Sequence, residues 1–282
     1  MKTRLQTLAQ ALLLAASLAF AFGANAQSPP AKASAPKSRA AAPAPELEAQ
    51  VLDLLRAMSS ALTSPSSMAF TAVATYESPS SIGPPLAFTT TSEVLVQRPN
   101  RLRVIKSGDG KVSEYYFDGR TLTAFAPSEN LVAVMPAPVT IDAMLEAAFK
   151  EAAIYFPFAD VLGADPFKTI TAGVTKAFYV GQSTGVGGTT TDVVAVAGDE
   201  LFMQIWIGAD DKLPRRLRAT YRGDPLLLRH QVDLSNWKLD PVVAAQAFAS
   251  VNAATARPIP FAVPPSASAA AKARAGKARN AP

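Results

Sequence analysis

The chain has 282 residues with 23 prolines, one histidine and no cysteine, and its formal net charge is +5. Without cysteine there is no disulfide framework, no thiol nucleophile, no Cys-ligated zinc and no lipid anchor on an N-terminal cysteine. The charge is uneven: residues 1–45 and 257–282 each hold five basic and no acidic residues, whereas 46–256 hold 17 basic and 22 acidic ones. The expected folded part is therefore mildly acidic and lacks the basic face of a nucleic-acid-binding domain.

Residues 1–26 read as a cleaved secretory signal peptide. Lys2 and Arg4 form a positive start, an apolar run follows from Ala11 to Phe22, and Ala24-Asn25-Ala26 offers small residues for the cut. The predicted location is the periplasm. No later stretch is apolar for long enough to predict a transmembrane span. Residues 27–45, rich in Ala, Pro, Ser and Lys, have no large apolar side chain and are expected to form a disordered linker. The basic tail 263–282 has the same character, and the tails offer weak attraction to anionic membrane surfaces.

One domain is expected over 46–262. Its first element is a helix in which Leu47, Val51, Leu54, Leu55, Met58 and Leu62 recur at helical spacing, with Pro45 at its first position. Short strands then follow one another. Met68, Phe70, Ala72, Ala74 and Tyr76 share one face of the first. SEVLVQ and RLRVIK flank an Arg98-Pro99-Asn100 turn, and Asp118-Gly119 joins two more strands as a hairpin. A helix is predicted from Thr140, a short irregular or helical piece at 157–167, and five further strands from VTKAFYVGQ to PLLLRHQVDLSNWKL. A short helix is expected near Val242 to Phe248. The reading is α+β, mainly β: about eleven strands in one antiparallel, unclosed barrel with helices covering its concave face.

Residues 181–185 spell GQSTG, the spacing of a nucleophile elbow, but a Gly-rich turn and another strand follow where that motif needs a helix. Ser183 with His230 is the one hydrolase pairing available. His230 stands among Leu226, Leu228, Val232 and Leu234 on one strand face, the setting of a core histidine. No phosphate loop or dinucleotide fingerprint is present, so no cofactor is expected. Arg216, Arg218 and Arg222 share a strand face that is either solvated or an anion contact.

From Arg98 to Met135 the chain resembles the lipoprotein-localisation carriers of the Gram-negative envelope, through Arg98-Pro99-Asn100, Asp118-Gly119-Arg120 and Phe125-Ala126-Pro127. Its later half is similar to a related family of predicted periplasmic proteins, DUF2092, through Pro157-Phe158-Ala159-Asp160-Val161, Gln204-Ile205-Trp206-Ile207, Leu213-Pro214-Arg215 and Trp237-Lys238-Leu239-Asp240-Pro241. The resemblance implies an apolar hollow for acyl chains beneath covering helices, and it matches Arg98 to a carrier arginine that holds those helices closed. Phe70, Phe88, Val94, Val96, Tyr116, Leu122, Met203, Ile205 and Trp206 are the expected cavity residues; the same side chains would equally serve as packed core. The reading is a non-enzymatic binder of a lipid or acylated ligand. Its alternative is an envelope protein-interaction or stress-sensor module using the same concave face.

Overall fold

The computed structural model describes residues 46–263. The expected signal peptide, linker and basic tail lie outside the described residues, apart from Val263. In chain order the elements are β1 (Glu46–Leu47), α1 (Ala49–Thr63), β2 (Ser67–Ser78), β3 (Leu86–Gln97), β4 (Arg101–Gly108), β5 (Ser113–Phe117), β6 (Thr121–Ala126) and β7 (Leu131–Pro136). Then come α2 (Ile141–Ala152), α3 (Ala159–Leu162), α4 (Pro166–Thr171), β8 (Val174–Ser183), β9 (Thr191–Gly198), β10 (Leu201–Gly208), β11 (Pro214–Tyr221), β12 (Arg229–Leu239) and β13 (Arg257–Pro258).

All thirteen strands form one sheet in the order β1-β8-β9-β10-β11-β12-β2-β3-β4-β5-β6-β7-β13. The two edges do not meet, so the barrel is unclosed, as expected. Two strands escaped prediction, β1 and β13. Each has two residues and pairs in parallel with the strand beside it. Such short pieces carry no periodic signal, yet they occupy the edges, where a long unpaired strand would invite association. The first helix starts later than expected, because Glu46 and Leu47 are drawn into pairing with Lys176 and Ala177 on β8. Glu48 ends that pairing and its carboxylate accepts from the Tyr179 N–H at 2.8 Å.

Chain order explains why helices cover one face. β7 lies near one edge of the sheet and β8 near the other, so the segment joining them must cross the sheet. Its crossing carries α2, α3 and α4. Thr140 caps α2 by accepting from Ala143 N–H, and Asp165 caps α4 by accepting from Lys168 N–H. Beside them α1 buries Val51, Leu55, Met58 and Leu62 against inward residues of the sheet, including Met68, Phe70, Val96, Leu102, Phe117, Ile205 and Leu234. The convex face is crossed near β5–β7 by two 3-10 turns, Ala245–Phe248 and Asn252–Thr255.

The central pairing, β12 with β2, joins residues far apart in sequence. Polar ties fasten both of its ends. At one end Arg229 donates to the Glu77 carboxylate from its backbone N–H at 3.0 Å and its Nε at 2.8 Å. At the other, Asp240 Oδ1 accepts from Ser66 N–H and Ser66 Oγ, each at 2.8 Å. Between them a bulge from Ser235 to Lys238 turns the Trp237 ring inward. That ring stacks on Phe70 with centroids 4.5 Å apart, and its Nε1 donates to the Pro214 carbonyl.

The start of β12 differs from expectation. Leu226 and Leu227 lie in the turn before it, with Leu227 at φ 49°, because Asp224 accepts from the N–H groups of Leu226 and Leu228 and folds the backbone back.

Leu55→Ala is expected to lower stability by about 2–5 kcal/mol, the usual range for a fully buried leucine, read from urea unfolding. A second prediction concerns acid. Hydrogen bonds from Ser66 and Ser67 hold the Asp240 carboxyl below its ordinary pKa. Its contribution is present above the unfolded-state value and is lost as pH falls through the lowered one. Asp240→Asn should therefore flatten the fall in melting temperature below about pH 4; an unchanged acid limb would contradict the tie.

Candidate functional site

Strand alternation sorts the expected cavity residues into three groups. Phe70, Val94, Val96, Leu122, Met203 and Ile205 point to the concave side and belong to the single large core beneath the helices. Phe88 is on the same side but lies at the far end of β3, beside Tyr76 on β2, the two rings stacking at 5.6 Å. Tyr116 and Trp206 point the other way. Trp206 lies between Ile205 and Ile207, both fully buried in the core, so period-two alternation places it on the convex face. There the Arg216 guanidinium lies over its ring and is ion-paired with Asp233. Tyr116 lies beside Phe117, which takes the core position. Its hydroxyl donates to Glu114 at 2.6 Å and is pushed up to about 12, burial being the main cause.

The concave side therefore has two ends of different character. At the closed end Phe158 meets Phe70 edge-on at 5.8 Å, Tyr115 meets Phe156 at 5.1 Å, and Val161 and Leu162 are fully buried. At the open end the inward series of four neighbouring strands finishes in a ring: Tyr76 on β2, Phe88 on β3, Tyr221 on β11 and His230 on β12. His230 stands opposite Tyr76 in the ladder and meets Tyr221 edge-on at 5.5 Å. Tyr155 lies in the segment between α2 and α3.

Tyr155 keeps 44% of its surface accessible, yet surrounding protein pushes its phenol far above the ordinary value. The same crowding raises the Tyr221 phenol and the Asp160 carboxyl, and it lowers His230 and Lys106. The Asp160 charge adds to the rise at both Tyr155 and Tyr221, after burial as the main cause. Sequence reasoning did not select Tyr155, Asp160 or Tyr221. Alternation along β2 and β11 reaches Tyr76 and Tyr221, but Tyr155 lies outside any periodic element and gives no such signal.

Arg98 lies at the closed end, where β3 turns into β4. Its Nη2 donates to the Leu62 carbonyl in the last turn of α1 at 3.0 Å, and its Nη1 to the Leu162 carbonyl ending α3 at 3.2 Å. One guanidinium thus satisfies carbonyls that two helix ends leave open. Burial works against its charge, and Asp142 at the start of α2 supports it. Asp142 Oδ2 also accepts from Ala164 N–H, which ties the α3–α4 turn to α2.

Ser183 and His230 do not form a catalytic pair. β8 and β12 are separated by three strands, about 19 Å across the sheet. Ser183 Oγ instead accepts from Gly185 N–H, and Gly181 sits at φ 138° in a bulge. The GQSTG spacing records a strand end.

A model of predicted periplasmic proteins matches residues 52–262. The chain belongs to this family, DUF2092. No curated protein matches it. Among solved structures, this DUF2092 protein is similar to an uncharacterised conserved protein from Thermus thermophilus, at 10% identity and a TM-score of 0.44, over 75% of this chain and 99% of that one. MucB in its complex with MucA from Pseudomonas aeruginosa matches at 21% identity and 0.43, over 72% and 62%. LprF from Mycobacterium bovis matches at 16% and 0.43, over 71% and 97%. No helix among the described residues is long and apolar enough to cross a membrane.

Arg98→Met would leave the helix-end carbonyls without their charged donor. A loss of about 2–3 kcal/mol is expected, together with faster hydrogen exchange in 159–171 than in the middle of α1. Equal protection in both proteins would show that the guanidinium holds nothing in place.

Proposed function

We propose that the protein is a non-enzymatic periplasmic binder that holds a lipid or acylated ligand in the half-barrel. The accessible open end is the entry, and Arg98 fixes the covering helices. The observation that carries this reading is the contrast between the two ends: the inward-facing Tyr76 ring, stacked on Phe88, keeps 38% of its surface accessible, while Phe70, Phe156, Phe158 and Leu162 fill the other end. Aromatic and aliphatic walls with few polar groups suit an apolar ligand.

The closed end is filled, so a long acyl chain would have to displace side chains there. Phe156, Phe158, Val161 and Leu162 come from the crossing segment and not from the sheet. Lifting that segment would expose them at a cost of about 1.5–3 kcal/mol for each side chain, and a chain taking their place would recover much of it. Arg98 ties this segment to α1 and would set the cost of opening.

The test is native mass spectrometry of protein purified from the periplasm, followed by organic extraction. A bound mass that partitions as lipid is expected, and Arg98→Met should lower the fraction of protein that retains it. Ligand-free protein that also fails to take up added lipid would overturn the reading and favour an envelope protein as the partner of the concave face, to be sought by crosslinking in cells.

A further inference from the structure

The convex face carries a cavity that binding in the half-barrel leaves unused. It lies between β5–β7 and the two 3-10 turns that cross them, and its volume is about 230 Å³. Such a space has room for about eight waters. It falls below the roughly 300–1,000 Å³ of sites for drug-sized ligands. A long acyl chain is too large for it, and a single small ring fits.

Strand register builds the floor. Tyr116 stands opposite Thr123, and Thr123 opposite Val134, so the three form one row across β5, β6 and β7. Asp118 lines the cavity from the turn after β5, and Phe248 and Ser250 line it from the crossing segment. The Arg101 guanidinium lies over the Phe248 ring at 5.8 Å and steadies that side. Val134 keeps 52% of its surface accessible and offers an apolar wall without a protein cover.

The polar groups suit a partner that both donates and accepts. Tyr116 spends its proton on Glu114 at 2.6 Å, so its oxygen is left to accept. A carboxylate has about four acceptor sites, and Asp118 uses Oδ1 for the Arg120 and Thr121 N–H groups, so capacity remains for a ligand hydroxyl. The Thr123 hydroxyl is half-buried, has no partner among the described residues and can do either. Ser250 Oγ accepts from Ala253 N–H at 3.2 Å, and its proton can rotate to suit a ligand. Arg101 and Arg103 on β4 balance Glu114 and Asp118, so the surroundings favour neither an anion nor a cation. A pyranose ring meets these conditions: adjacent hydroxyls that each donate and accept, and a C–H face for an apolar wall.

We infer that this cavity is a carbohydrate site, taking one neutral hexopyranose ring with its hydroxyls on Tyr116, Asp118 and Thr123 and its C–H face against Val134 and Phe248. It lies on the face of the sheet opposite the half-barrel interior, so the two sites stand or fall separately.

The experiment is saturation-transfer NMR on the full chain with the methyl glycosides of glucose, galactose, mannose and N-acetylglucosamine, and with cyclohexanol as an apolar ring bearing one hydroxyl. At least one glycoside is expected to bind, about tenfold or more tighter than cyclohexanol. Asp118→Asn keeps an acceptor for the hairpin N–H groups but replaces the second oxygen with a donor, and should weaken that glycoside about tenfold. Thr123→Val, close in shape, should weaken it several-fold. Absence of glycoside binding, cyclohexanol binding as tight as the glycoside, or affinity unchanged by both substitutions overturns the inference. Should Asp118→Asn not fold, Thr123→Val decides alone: a weaker glycoside supports the site, and an equal one refutes it.

Discussion

The antiparallel pairing of β12 with β2 is the constraint on which the rest of the molecule depends. It joins two runs of hairpins, β2 to β7 and β8 to β12, into one sheet. Its end ties link residues 152 and 174 positions apart, Arg229 to Glu77 and Ser66 to Asp240. Without it there would be two smaller sheets, each with a long open edge. With it, β7 and β8 are sent towards opposite edges, and the chain between them has no route except across the sheet. The cover over the concave face is thus a consequence of strand order. The ordering cost of so distant a pairing is offset by the core that it closes, since α1, the crossing segment and both halves of the sheet bury side chains against one another.

That cover divides the concave side unequally. The crossing segment puts its apolar residues over the closed end, where the Trp237 bulge and Phe70 complete a dry packing. Arg98 locks the arrangement by giving one charged side chain to the carbonyl ends of two helices. At the open end the strands finish in rings that the helices do not fully cover. An accessible surface remains there, as at the Tyr76 ring. The proposed function lives in this difference between the two ends.

The family and much of the fold were legible in the chain itself. Hydrophobic alternation gave the long strands, Asp118-Gly119 gave its hairpin, and helical spacing gave α1 and α2. Asp118 Oδ1 accepts from the Arg120 and Thr121 N–H groups, and a Cβ on Gly119 would meet the Asn100 side chain at 2.7 Å. A local motif thereby also packs against the Arg98-Pro99-Asn100 turn. The individual wall residues were less legible. Naming both Ile205 and Trp206 as inward conflicts with strand periodicity, because adjacent residues on a strand face opposite sides. The flanking Ile207 settles which of them is buried. Tyr116 was displaced in the same way by Phe117.

By itself the sequence determined an antiparallel, mainly β domain with covering helices and an arginine at a strand turn; it left Ser183 with His230 as a remote pairing, which the strand order then separated. These are short-range properties, written in periods of two and 3.6 residues and in turn chemistry. Only the tertiary structure decided that the closed end is packed, that Arg98 reaches both Leu62 and Leu162, and that the rings of Tyr76, Phe88, Tyr221 and His230 gather at the open mouth. Each of these depends on which strands are neighbours and on where the crossing segment comes to rest. No local pattern encodes that, because the partners lie tens of residues apart and meet only when the sheet has closed on β12 and β2.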